Sequence, residues 1–157
     1  MLKYLNTQVT FAEVPDEITL CINITGCKNG CKNCHSSYLA QDIGTELTFN
    51  EVRKLIKKNS GVSCIAIMGG DAEPDKINTL ASFIINHYNS IKVAWYSGRQ
   101  GLSNSIDLSN FDYIKLGPYK EEFGPLNSRT TNQRFYKVNG RELVDITSKF
   151  WKHETEN

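Results

Sequence analysis

The sequence of 157 residues is long enough for one domain with its own hydrophobic core, so we expect a single domain over 1–157. Its net charge of +1 provides no broad field that would attract nucleic acid or an anionic membrane. Residues 1–8 lack the apolar stretch of a signal peptide, and no apolar run approaches the ~20 residues that span a bilayer. We therefore expect a cytoplasmic protein with no nucleic-acid or membrane partner.

Four short segments have the apolar, β-branched composition of strands, and helical patterns lie between them. The predicted strands are 18–24, 64–68, 91–96 and 111–116. Thr48 and Glu51 form a capping box that predicts the start of a first helix, and a second helix is predicted to begin near Pro74. This alternation indicates an α/β domain with a mainly parallel sheet. Asn139-Gly140, between two β-prone runs, predicts a C-terminal hairpin.

A loop that contains glycine follows each of the four predicted strands. These loops are the cysteine-rich segment after residue 24 and the turns at 69–71, 97–98 and 117–118. Functional loops of parallel sheets gather at the carboxyl ends of the strands. We therefore expect all four loops to lie on one rim of the sheet.

Five cysteines are present, and an odd number argues against a secreted disulfide framework. Cys27, Cys31 and Cys34 have the spacing C-x3-C-x2-C. A cubane 4Fe–4S cluster has four iron corners that each prefer a thiolate, and these cysteines can serve three of them. Cys21 and Cys64 lie inside predicted strands. If both remain in the core, one iron has no protein ligand, and an open position is what a catalytic metal site needs.

The cysteine motif, placed directly after a first strand, resembles the cluster loop of the radical S-adenosylmethionine superfamily. That resemblance implies that the open iron binds the amino and carboxylate groups of S-adenosylmethionine. An electron from the cluster then cleaves the carbon–sulfur bond and yields methionine and a 5′-deoxyadenosyl radical. The protein supplies orientation and shielding.

The turn Gly69-Gly70-Asp71 resembles the Gly-Gly-Glu element of the same superfamily. The resemblance implies that this turn receives the methionine amino group of S-adenosylmethionine. Asp71 stands where glutamate is usual, and Glu73 lies nearby, so that either carboxylate could make the contact. Ser97 follows the third predicted strand and is expected in the ribose and adenine pocket.

The segments 26–34, 111–119, 127–129 and 132–134 together resemble the activating protein of anaerobic ribonucleoside-triphosphate reductase. Where that family often carries a Gly-Pro-Gly turn, this chain has Val14-Pro15-Asp16-Glu17. The resemblance implies a shortened, open (β/α) partial barrel of the radical S-adenosylmethionine type. It also implies hydrogen abstraction from a backbone glycine of the partner reductase. The reductant would be a flavodoxin- or ferredoxin-type donor.

Two alternatives remain at this point. One is an activase of another glycyl-radical enzyme. The other is a non-catalytic zinc or iron–sulfur module, in which His35 would be the candidate fourth ligand, although its adjacency to Cys34 makes that geometry awkward. In the activase hypothesis, the resemblance instead gives His35 a role in framing the adenine.

Overall fold

The computed structural model describes residues 2–26 and 43–151. Cys27, Cys31, Cys34 and His35 lie outside the described residues. The strands are β1 (Lys3–Thr10), β2 (Thr19–Ile24), β3 (Thr45–Glu46), β4 (Cys64–Met68), β5 (Lys92–Tyr96), β6 (Tyr113–Leu116), β7 (Arg134–Asn139) and β8 (Glu142–Asp145). The helices are α1 (Phe49–Lys58) and α2 (Pro74–His87), with short 3₁₀ helices at Leu108–Asn110 and Thr147–Phe150.

All eight described strands join one sheet in the order β3-β1-β2-β4-β5-β6-β7-β8. The α/β class is confirmed, but the prediction of a mainly parallel sheet is wrong. The three central pairings β2–β4, β4–β5 and β5–β6 are parallel. The four outer pairings, β1–β2, β1–β3, β6–β7 and β7–β8, are antiparallel. The difference arises because β1 and β3 were not predicted and because the hairpin extends the same sheet.

The C-terminal hairpin is confirmed. Asn139 pairs with Glu142, so the tight turn consists of Gly140 and Arg141. Gly140 has a φ of +64°, a left-handed conformation that glycine adopts without steric strain. The turn therefore lies one residue later than the predicted Asn139-Gly140 dipeptide.

Both helices begin where local chemistry predicts. Thr48 is the N-cap of α1, and its Oγ1 accepts a hydrogen bond from the Glu51 amide at 3.1 Å. Pro74 occupies the first turn of α2, where its missing N–H leaves no helical hydrogen bond unmade. In the part of the chain that the structure describes, neither helix is long and apolar enough to cross a membrane.

Both α-helices pack on the same face of the sheet. Their buried side chains form one core with alternate residues of the central strands, among them Leu20, Ile65 and Val93. The opposite face carries the intervening residues Cys21, Ala66 and Ala94, which are small. The sheet therefore has one thick helical layer on one side and a shallow floor of small side chains on the other.

Residues 11–17, which we call the strap, cover part of the face that has no α-helix. Val14 is fully buried against the small floor, and the Tyr96 hydroxyl donates a hydrogen bond to the Glu13 carbonyl. Lys92 Nζ lies 3.1 Å from a carboxylate oxygen of Glu17 and ties the end of the strap to β5. The strap thus covers part of this side of the sheet, which we call the strap face.

Candidate functional site

The loops after β4, β5 and β6 lie together on one rim, as predicted. The Gly69 amide donates to the Tyr96 carbonyl at 2.9 Å, and the Ser97 amide donates to the Lys115 carbonyl at 2.9 Å. A further bond of 2.7 Å joins the Gly117 amide to the Arg99 carbonyl. Main-chain hydrogen bonds therefore connect the carboxyl ends of three adjacent parallel strands.

The carboxyl end of β2 belongs to the same rim. Asn23 is in register with Met68 at the end of β4, and a Cβ on Gly69 would lie 3.5 Å from the Ile24 carbonyl oxygen. Thr25 and Gly26 follow, and Cys27 is the next residue of the sequence. The cysteine motif is thus attached directly to the rim on which the other loops converge.

Asp71 joins two of these loops. Ser97 Oγ donates to Asp71 Oδ1 at 2.5 Å, and the Gly98 amide donates to Asp71 Oδ2 at 2.9 Å. Asp71 and Ser97 are 3% and 1% exposed, so both hydrogen bonds are shielded from water. Hydrogen bonds to an ionised carboxylate are roughly twice as strong as neutral ones. The two residues predicted separately from the sequence therefore form one buried unit.

Lys115 is a rim residue to which the sequence assigned no role. Its Nζ donates to the Ser97 carbonyl at 3.1 Å and to the Gly117 carbonyl at 2.8 Å, and its side chain is buried. Burying an ammonium group is unfavourable unless hydrogen bonds compensate for the lost hydration. The sequence offered one indication of this role. Lys115 lies inside the apolar run 111–116, where a buried charge needs hydrogen-bond partners.

The backbone conformation and packing of the turn after β4 favour glycine at positions 69 and 70. Gly69 and Gly70 have φ values of +100° and +89°, which side-chain-bearing residues rarely adopt. A Cβ on Gly70 would lie only 2.4 Å from Ile77 Cδ1, so α2 packs directly on its backbone. Their proposed contact with a ligand stays a prediction, because packing alone already requires glycine at Gly70.

Cys21 and Cys64 remain in the core, as expected, on the strap face. Burial, with a smaller contribution from the Glu13 carboxylate, raises the pKa of the Cys21 thiol to about 12. Burial likewise raises the pKa of Cys64 far above its ordinary value. Both thiols are enclosed by the core, so they do not face the rim as cluster ligands would. Residues 2–26 and 43–151 also contain no group of three His, Cys, Asp or Glu side chains arranged to hold a metal.

The two segments that carried the family resemblance in the second half of the chain touch each other. Asn132 Nδ2 donates to the Pro118 carbonyl at 3.0 Å. A Cβ on Gly117 would stand 3.2 Å from the Gln133 Cα, so the backbones pass very closely there. The polar residues Thr131 and Gln133, on either side of Asn132, are buried. The segment 131–133 therefore packs against the loop after β6.

One row of side chains crosses the strap face next to the rim. Its members are paired in register from strand to strand, which places them on the same face. We call this set the rim row: Asn6, Asn23, Met68, Tyr96, Lys115 and Phe135. The sequence did not reveal this row, because its members come from six strands whose order depends on tertiary pairing.

Comparison of the chain with family models, with curated proteins and with solved structures finds no match. Of the predicted site residues, Gly69, Gly70, Asp71 and Ser97 are brought together on the rim.

Proposed function

We propose that this chain is a radical S-adenosylmethionine enzyme that activates a glycyl-radical enzyme, in the first place anaerobic ribonucleoside-triphosphate reductase. One observation carries the proposal. The C-x3-C-x2-C motif starts directly after the rim on which Asp71, Ser97 and Lys115 converge, while Cys21 and Cys64 are buried with raised pKa values. Three cysteines are thus left for a cluster with four iron corners.

The donor set fits a 4Fe–4S cluster with one iron free of protein ligands. Cys27, Cys31 and Cys34 would hold three corners, and no other cysteine lies outside the core. When bound, the cluster and S-adenosylmethionine supply the electron transfer, the carbon–sulfur cleavage and the hydrogen abstraction, with an external flavodoxin- or ferredoxin-type protein as the electron donor.

The rim residues orient the ligand in this proposal. The Asp71 carboxylate is held by Ser97 Oγ and the Gly98 amide, so its direction is set before any ligand arrives. A preoriented carboxylate is a suitable acceptor for the ammonium group of methionine. Lys115 holds the loops after β5 and β6 in position through their carbonyl groups. Ser97 and His35 would lie toward the ribose and adenine.

The sheet suits a protein substrate. We propose that the parallel strands with α1 and α2 form the shortened, open (β/α) barrel expected from the resemblance. Both helices pack on one face, and on the other face the rim row ends in the exposed Asn6 and the half-buried Asn23 and Met68. A loop of a partner protein can therefore approach the rim from the β1 side.

Anaerobic reconstitution with iron and sulfide tests the proposal. We expect about four irons and four sulfides per chain, and 5′-deoxyadenosine on addition of S-adenosylmethionine and dithionite. Cys27→Ala, Cys31→Ala and Cys34→Ala should each abolish cleavage, whereas the matched control Cys64→Ala should retain it. A colourless protein with one zinc would contradict the proposal and favour the zinc module.

The partner is tested in a second step. Incubation of the reduced enzyme with the reductase should produce a glycyl radical that is detected by electron paramagnetic resonance. If a radical forms only on a different glycyl-radical enzyme, the proposed chemistry holds, but the proposed partner is wrong.

A further inference from the structure

A pair of amide side chains lies at the β1 end of the rim row. Asn23 Nδ2 donates a hydrogen bond to Asn6 Oδ1 at 2.6 Å, and Asn6 is exposed. Each amide uses one of its two polar groups in this bond. The Asn6 NH₂ group and the Asn23 carbonyl oxygen have no hydrogen-bond partner among the described residues. The pair therefore presents one donor and one acceptor side by side.

A β-bulge lies next to this pair in β1. Tyr4 is in register with Ile24, but the next matched residue of β1 is Asn6, which faces Asn23, so β1 contains an extra residue at this point. Tyr4 consequently packs with the helical core, whereas Asn6 turns to the strap face. Bulges redirect side chains and are frequent beside functional sites. Asn6 is therefore the last residue of the regular β1–β2 register, directly beside the bulge.

The position of the pair is close to the proposed chemistry. Asn23 lies beside Met68 in the rim row, and only three described residues separate it from Cys27 in the sequence. The neighbouring residues of the strap face, Cys21, Ala66 and Ala94, are buried together with Val14 of the strap. The pair itself stays accessible, because Asn6 is exposed and Asn23 is half-buried.

We propose that Asn6 and Asn23 bind the main chain of the partner's glycine loop, with Asn6 Nδ2 donating to a peptide carbonyl and Asn23 Oδ1 accepting from a peptide N–H. This inference rests on the proposed function and assigns positioning residues for its protein substrate. An amide donor beside an amide acceptor is complementary to a peptide group. Recognition through main-chain atoms also explains why a glycine loop is accepted, since it brings no side chain between the two backbones.

Asn6→Asp is the informative variant. The carboxylate still accepts the hydrogen bond from Asn23 Nδ2, so the pair and the bulge are retained, but the outward donor becomes an acceptor that repels a peptide carbonyl. The matched control is Asn50→Asp on α1, where Asn50 Oδ1 likewise accepts from Arg53 at 3.0 Å, on the helical side of the sheet. Asn6→Ala removes the outward donor without adding a charge. It therefore separates the loss of the donor from the effect of the negative charge.

The measurement is binding of a fluorescein-labelled peptide, centred on the radical-bearing glycine of the reductase, to the reconstituted enzyme by anisotropy. We expect Asn6→Asp to weaken binding about tenfold or more, and Asn6→Ala by a smaller factor. Asn50→Asp should bind as the wild type does. Formation of 5′-deoxyadenosine without partner should be equal in all four proteins, because the pair does not touch S-adenosylmethionine in this proposal.

The results separate this inference from the proposed function. Equal peptide binding by wild type and Asn6→Asp, or no binding by the wild type, overturns the docking assignment. Equal weakening by Asn50→Asp also overturns it, because the effect would then be one of net charge. Absence of S-adenosylmethionine cleavage in the wild type contradicts the proposed function instead, since peptide binding is measured without turnover.

Discussion

The Ser97 hydroxyl donates a hydrogen bond to the Asp71 carboxylate across 2.5 Å, and both side chains are almost completely buried. This contact connects the carboxyl ends of β4 and β5, which are adjacent in the sheet but 26 residues apart in the sequence at this contact. It fixes the direction of the one carboxylate on the rim to which a ligand role was assigned.

Ser97→Ala should destabilise the protein by about 1–3 kcal/mol, because it leaves a buried carboxylate oxygen without this donor. Urea unfolding of the protein without cluster measures the change. Ser109→Ala is a matched control, since Ser109 Oγ donates to Asp107 Oδ1 at 2.7 Å in an exposed position. The control should change the free energy of unfolding by less than about 0.5 kcal/mol. Equal effects would show that the burial of the Ser97 bond has no energetic consequence.

The structure separates the two carboxylates that the sequence left as alternatives. Asp71 is buried on the rim, whereas Glu73 occupies the N-cap position of α2 and forms a partly exposed ion pair with Lys76 at 3.1 Å. Asp71→Asn should therefore raise the KM for S-adenosylmethionine at least about tenfold, equivalent to ~1.4 kcal/mol. Glu73→Gln should change it by less than about twofold, because surface ion pairs contribute little. A larger increase in KM for Glu73→Gln than for Asp71→Asn would assign the ligand contact to Glu73.

Lys115→Met should lower the free energy of unfolding by about 1–3 kcal/mol. Methionine retains much of the side-chain length but removes the ammonium that joins the Ser97 and Gly117 carbonyls. Lys137→Met on the neighbouring β7 is the control, since Lys137 is exposed. Denaturant unfolding of both variants checks the prediction, and a stable Lys115→Met protein would show that the rim does not need this cation.

Val14→Ala should destabilise the protein by about 1–3 kcal/mol, because Val14 of the strap is fully buried against the small residues of the strap face. Val144→Ala removes the same atoms from an exposed position on β8 and should be nearly neutral. Thermal unfolding of the two variants measures the difference. If Val14→Ala is also neutral, the strap does not contribute to the stability of this face.

The buried thiol of Cys21 makes stability depend on pH in the alkaline range. Its pKa rises from 9.0 to about 12 in the folded protein, so the unfolded chain releases this proton first as the pH increases. The stabilising contribution is complete below pH 9 and is lost between pH 9 and about 12. In that window the wild type should lose ~1.4 kcal/mol per pH unit more than Cys21→Ala does. Urea unfolding at several pH values checks the slope; parallel curves would contradict the burial of this thiol.

Local patterns in the sequence predict several of the observed strands, helix starts and turns. The run 64–68 is a strand with those bounds, Thr48 caps α1, Pro74 begins α2, and the hairpin turns at Gly140. Each follows from a hydrophobic period, a capping group or a turn residue that acts within a few positions. The placement of glycine-containing loops on one rim was also predictable, because parallel strands place their carboxyl ends together.

The remaining features depend on contacts between distant parts of the chain. β1 has no clear alternation because it is partly exposed on both faces, and β3 is two residues long, so neither gave a strand signal. The contact of Ser97 with Asp71, the burial of Lys115 and the pairing of Asn6 with Asn23 all join residues from different strands. Such contacts depend on strand order and register, which arise from the packing of the whole sheet. No local pattern in the chain specifies them.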